Sequence, residues 1–247
     1  MSASALLIGA SIASLNLCTD EYLLLLARPP EIASVSFLSQ DPLESPLWRS
    51  ARHYPANRGS IEDVLTRRPE VVLMMGGGGR ATRLIAGRLH IRPVELASPN
   101  SLDDVAANFR TVAAALGEPR RAQPWLEKLA RLQRNRSVYS KDAIWLSGAG
   151  QSLAPASIGA QWMRLAGLQQ RALPGGRASL ETLLVRPPAV LVESRYRSAQ
   201  LSSGVRWLDH PIVRKAKAQR LTADGRRWTC MGPLMIGEIE RLRAAQR

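Results

Sequence analysis

Lysine, cysteine, histidine and long apolar runs are all scarce in this chain, and each shortage removes a class of protein. No stretch reaches the roughly 20 consecutive apolar residues that a membrane-spanning helix needs; the longest candidates are residues 5–10 and 23–27. Two cysteines, Cys18 and Cys230, lie near opposite ends of the 247 residues, which excludes a CxxC metal or redox motif. His53, His90 and His210 share no metal-ligand spacing with one another or with a cysteine, against a zinc site or a histidine-dependent hydrolase. There is no GxSxG elbow, no HExxH, and no arrangement of carboxylates that singles out an acid and a base. The expectation is a protein that is not an enzyme.

Only Lys128, Lys141, Lys215 and Lys217 are lysines among 34 basic residues, so the net charge of +14 is carried mostly by arginine. Guanidinium forks pair bidentately with carboxylates and phosphates. Such a balance admits nucleic acid, an anionic membrane surface or an anionic small ligand. The arginines are scattered as pairs (Arg67 and Arg68, Arg120 and Arg121, Arg226 and Arg227) without a block of five like charges or a nucleic-acid-binding motif, so no nucleic acid is expected as partner. Residues 1–10 have the small, apolar texture of the end of an export signal but no basic n-region, and read as a remnant or truncated signal.

What the chain does have is an internal repeat. SIEDVLTRRPEVVL (60–73) and SLETLLVRPPAVLV (179–192) align without a gap. In each copy a serine, Ser60 or Ser179, is placed as an N-cap, and Glu62 or Glu181 falls in the first turn, where it suits the helix dipole. Leu65 or Leu184 is expected to face inward. Pro69 or Pro188 stops the helix, and a β-branched run follows as a buried strand of parallel type. Around these units, residues 11–17, 32–38, 93–97, 143–147 and 220–223 read as strands. Residues 20–27, 80–89, 102–116, 124–135, 157–168 and 234–245 read as helices. This is a βαβα pattern built twice: an α/β fold with two Rossmann-like lobes around mainly parallel sheets. The lobes are expected at 11–118 and 140–247, joined by a stiff connector helix within 119–139. The loops at the carboxyl ends of both strand sets would then form an interlobe cleft, where such folds bind ligands.

At this point the sequence resembles the periplasmic substrate-binding proteins of ABC importers for ferric siderophores, haem and cobalamin. The residues that carry the resemblance are SLNLCTDE (14–21), IASVSF (32–37), the 59–73 unit with its second copy, and WTCMGP (228–233). The resemblance implies a periplasmic, monomeric receptor without an intrinsic cofactor, whose cargo is a metal chelate or corrinoid. It implies delivery of that cargo to an ABC permease dimer with its ATPases, and modest closure about the stiff connector. Glu62 and Glu181 match the two glutamates that dock such receptors onto the permease.

Candidate ligand contacts follow from position after each strand. In the first half they are Cys18, Thr19, Trp48, Tyr54, Arg58, Met75, Gly76 and Arg80; the aromatics offer flat contact area, and unhindered amides beside Arg80 suit an anion. In the second half they are Gln151, Arg195, Tyr196, Arg197, Arg227 and Trp228, among which two guanidiniums flanking a phenol suit a chelate bearing carboxylate or phosphate. Cys18 and Cys230 fall one on each half and are open to three roles: a disulfide, metal ligands, or free thiols, the last being the default. A reading from another class is an α/β enzyme that binds a nucleotide or phosphorylated substrate at the run from Gly76 to Gly79, although no Gly-Lys-Ser/Thr closes that run.

Overall fold

The computed structural model describes residues 10–76, 79–136, 139–196 and 203–246. It contains nine strands and ten α-helices among these residues, and they divide into two compact units: one runs to Ser98 and includes Asp103–Leu126, the other is Pro99–Leu102 with Glu127–Arg247.

The first unit holds β1 (Ile12–Ser14), α1 (Leu17–Leu26), β2 (Ile32–Ser36), α2 (Trp48–Ala51), β3 (Ala56–Asn57), β4 (Val71–Met75), α3 (Gly79–Arg88), β5 (Arg92–Leu96) and α4 (Leu102–Ala115), whose first residue is counted with the other unit. Its strands form a parallel sheet in the order β3-β2-β1-β4-β5. The first strand is shorter than the expected 11–17, because Asn16 caps a helix there: its Oδ1 accepts from the Thr19 amide at 3.0 Å, the usual role of an asparagine at an N-cap. That helix ends at Ala27, just before Pro29 and Pro30, which disfavour helical backbone in the preceding residue. The second strand likewise stops at Ser36 rather than Leu38. Residues Phe37–Gln40 wind into a single 3-10 turn, pulled round by Asp20, which accepts from the Ser36 amide and from the hydroxyls of Ser36 and Ser39. Phe109 of α4 lies edge-on to Tyr22 and stacked on Trp125, with ring centroids 5.1 and 5.5 Å apart.

The helix α5 (Gln123–Arg134) is where the division falls: its first four residues go with the first unit and the remainder with the second. Its buried residues, Leu129 and Leu132, are three apart and so lie on one face.

The second unit continues with β6 (Lys141–Leu146), α6 (Ile158–Leu165), β7 (Leu168–Gln170), α7 (Leu180–Val185), β8 (Val190–Arg195), α8 (Ser203–Leu208), α9 (Pro211–Lys215), β9 (Gln219–Asp224) and α10 (Met235–Ala244). Its sheet is again parallel, in the order β7-β6-β8-β9. The helix expected over 157–168 stops at Leu165, because Gly167 takes a left-handed φ of +77°, and the chain turns directly into β7. Arg243 joins two helix ends: its guanidinium donates to the carbonyls of Leu132 in α5 (2.8 Å) and Leu165 in α6 (2.7 Å).

The two copies of the repeat adopt different helices. Ser179 caps α7, accepting from the Thr182 amide at 3.0 Å. The matching segment Glu62–Arg67 is a 3-10 helix in which Ser60 accepts from Asp63 at 3.3 Å. Val64 and Leu183 are buried at equivalent places. Leu65 packs against its core as expected, but Leu184 does not: it is 67% exposed. Leu183 already fills the space above β8, and the neighbouring side chain of the α-helical turn is directed to solvent.

Candidate ligand-binding site

Each sheet has one place where successive connections depart in opposite directions. It falls between β1 and β4 in the first sheet, and between β6 and β8 in the second. Open parallel sheets bind ligands outside the carboxyl ends of the strands at such a point, where the diverging loops leave a crevice.

In the first unit, the loops after β1 and β4 are tied by Asn16, whose amide group donates to the Met75 carbonyl at 3.2 Å. Cys18 is half-buried in the first turn of α1. Thr19 is fully buried; its hydroxyl bonds Ser14 Oγ at 2.6 Å and the Asn16 carbonyl at 3.0 Å, so it holds the loop rather than facing solvent. Met75 is half-buried, Gly76 is exposed with φ +89°, and Gly76 lines an open recess of about 570 Å³ with Glu95, Leu96, Ala97 and Ser98. A Cβ at Gly79 would lie 2.8 Å from Met74 Sδ, so glycine there serves close packing under α3. Gly77 and Gly78 lie outside the described residues, and Arg80 is exposed.

The long loop after β2 contributes Trp48, Tyr54 and Arg58. Trp48 is half-buried, with the guanidiniums of Arg49 and Arg52 at 5.0 and 4.5 Å from its ring centroid. Gln40 braces the loop by donating to the carbonyls of Ala51 (3.2 Å) and Tyr54 (2.7 Å). Tyr54 is half-buried and Arg58 exposed. Sequence reasoning missed Phe37, which is 52% exposed at the carboxyl edge of β2. Beneath it, Asp20 is wholly enclosed, and burial pushes its carboxyl from 3.8 up to about 7 against the lowering effect of the Ser14, Ser36 and Ser39 hydroxyls.

In the second unit, Gln151 is exposed and forms an isolated antiparallel bridge with Arg177. Arg195 ends β8 with its guanidinium 2.9 Å from Asp209 and 3.3 Å from Glu193; the Asp209 bond raises its pKa. Its charge is thus met within the protein before any ligand arrives. Tyr196 is half-buried; the backbone at Gly225 passes so close that a Cβ there would lie 2.8 Å from the Tyr196 amide nitrogen. Arg197 lies outside the described residues. Arg227 is half-buried, 3.8 Å from Asp224 and 3.9 Å from Glu238.

Trp228 belongs to the core. It is 3% exposed, tilts against Trp145 at 5.5 Å between centroids, and donates to Glu238 at 3.4 Å. Neither Cys18 nor Cys230 is a free thiol, which corrects the default drawn from the sequence. Glu62 and Glu181 are both exposed. No group of three or more His, Cys, Asp or Glu among the described residues is arranged to hold a metal ion.

These features define a class of fold: two α/β units, each built on an open parallel sheet with one switch point. No protein-family model and no curated protein sequence matches the chain, but solved structures do. The periplasmic haem-binding protein HutB of Vibrio cholerae is 18% identical, covers 95% of this chain and 98% of its own, and superposes with a TM-score of 0.73. The periplasmic haem-binding protein RhuT from Roseiflexus sp. RS-1, in apo form, is 21% identical over 97% of this chain and 100% of its own, with a TM-score of 0.67. The periplasmic vitamin B12-binding protein BtuF of Vibrio cholerae is 18% identical over 96% of each chain, with a TM-score of 0.64. At these identities the likeness establishes the fold, and at that level the resemblance read from the sequence holds.

Proposed function

We propose that this chain is the substrate-binding protein of an ABC importer. It captures an iron chelate (siderophore or haem) or cobalamin in the cleft between its lobes and delivers it to the permease dimer and its ATPases. The observation that carries this reading is a likeness of fold spanning nearly the whole chain, with haem- and vitamin B12-binding proteins as the neighbours. On this reading the protein works in the periplasm as a monomer, is a receptor rather than an enzyme, and has no intrinsic cofactor. On the same reading the lobes span 11–118 and 140–247, joined by the connector helix within 119–139.

Cargo contacts are assigned to Trp48, Tyr54, Arg58, Gly76 and Arg80 on one lobe and to Gln151, Tyr196, Arg197 and Arg227 on the other, with Phe37 added because an exposed aromatic at a strand's carboxyl edge offers a flat apolar surface. Cys18, Met75 and Arg195 border these positions. Glu62 and Glu181 dock on the permease; their exposure at equivalent places in the two copies of the repeat supports this role. The absence of a free thiol in a chain with two cysteines supports a Cys18–Cys230 disulfide, a bond suited to an oxidising compartment.

The test is a tryptophan-quenching titration of the full chain against haemin, cobalamin and a panel of ferric siderophores. Saturable submicromolar quenching by one of them, weakened by Trp48→Ala and Phe37→Ala, is the expected result. A flat response to the entire panel, with the protein folded by circular dichroism, overturns the receptor reading.

A further inference from the structure

The first copy of the repeat packs Leu65 into its core and follows it with the polar Thr66. At the same two places the second copy carries Leu184 and Val185, 67% and 75% exposed. Nothing in the repeat requires this apolar surface, since the first unit builds the same strand without one. It borders a groove of about 530 Å³ between α7 and α9, with Leu183 at its base, Leu184, Pro187, Pro211, Ile212 and Ala216 as walls, and Lys215 and Lys217 on its rim. That volume lies in the range of small-molecule sites.

The rim has its own chemistry. Two of the chain's four lysines stand here, in a protein that otherwise uses arginine for positive charge. Much of the arginine of this unit is engaged: Arg195, Arg220, Arg226 and Arg241 each reach a carboxylate. The Lys215 and Lys217 ammonium groups make no ion pair or hydrogen bond to a described residue, and both residues are exposed at the mouth of an apolar groove. An ammonium is a compact point charge on a flexible stem, able to follow a single anionic head without the planar geometry a guanidinium demands.

We propose that this groove binds a single-chain anionic amphiphile, with the aliphatic chain lying along Leu184, Pro187 and Ile212 and a carboxylate head held by Lys215 and Lys217. The site stands on the second unit alone and is independent of the chelate reading. Trp207 reports on it, because its ring packs on the same cluster as Leu183, Ile212 and Ala216.

The experiment is a titration of the full chain with laurate below its micellar concentration, followed by calorimetry and by the part of the tryptophan emission that Trp207→Phe removes. Dodecyltrimethylammonium (same chain, opposite head) and acetate (head without chain) serve as comparisons. Laurate is expected to saturate one site, with acetate silent and the cationic amphiphile at least about tenfold weaker. Leu184→Asp, at an exposed position where folding is not at risk, is expected to abolish binding, and Lys215→Glu with Lys217→Glu to reverse the preference between the two amphiphiles. Equal affinity for both heads, indifference to these variants, or no saturable response to laurate in either emission or heat overturns the proposal. Haemin or cobalamin titrations of Leu184→Asp keep the two readings apart, since loss of the groove leaves chelate binding unchanged.

Discussion

Asp20 in the first unit and Glu193 and Glu238 in the second are buried carboxylates enclosed in different ways. The first buries Asp20 among hydroxyls and a backbone amide, with no guanidinium among the hydrogen bonds it accepts. The second buries Glu193 against Arg195 and Arg220, and Glu238 against Arg241. Hydroxyls supply hydrogen bonds but no net charge, so desolvation prevails and the Asp20 carboxyl is held toward its protonated form. Guanidiniums supply both hydrogen bonds and an opposite charge. One fold, repeated, thus surrounds Asp20 with hydroxyls and Glu193 and Glu238 with guanidiniums, and uses the second arrangement in the first unit as well, where Arg121 holds the buried Glu31.

The largest effect should come from the repeat itself. Leu183→Ala is expected to destabilise the protein by about 2–5 kcal/mol, while Leu184→Ala, one residue on, should stay within about 0.5 kcal/mol; chemical denaturation midpoints will tell, and equal losses would break the distinction drawn between them. Glu193→Gln comes next. It leaves Arg195 with Asp209 but takes the nearest carboxylate from Arg220, at a cost of about 2–3 kcal/mol, reduced from the fully buried case because both arginines are partly exposed.

Asp20 sharpens the contrast through pH. Its carboxyl titrates near 3.8 when unfolded and at about 7 when folded, so between those values the folded state holds more protons. Its contribution to stability is therefore fully present below about pH 4 and falls as pH rises through 7, by on the order of a few kcal/mol. Thermal denaturation from pH 4 to 8 should show this slope, and Asp20→Asn should flatten it; an unchanged slope in the variant would refute the assignment. The smallest effect is in the caps: Ser179→Ala should cost about 1 kcal/mol and Ser60→Ala less, because Ser179 holds a regular α-helical turn at the shorter distance.

Much of the fold was readable because its cues are local. The β-branched runs before Met75 and Ser194, the prolines that precede them and the heptad-like spacing of Leu129 and Leu132 all act within a few residues. What escaped depends on partners distant in sequence. The strand Ala56–Asn57 exists only through its pairing with Val35 and Ser36, and β2 ends early because a carboxylate 16 residues away gathers the Ser36 donors. The site was harder still. Trp228 looked like a loop aromatic because the chain gives no sign that Trp145 will meet it. Phe37 looked like the continuation of a buried strand, since its alternation with Val35 carries on past the point where Asp20 turns the backbone.

Arg243 imposes a schedule on the chain as it is made. The Leu132 carbonyl at the end of α5 finds its donor on a residue 111 positions later. At a synthesis rate of about 5–20 residues per second, that carbonyl waits roughly 5–20 s on the ribosome, with water as its interim partner. The first unit has emerged well before then, so its sheet can be complete while the helix leading out of it is still unfinished at its far end.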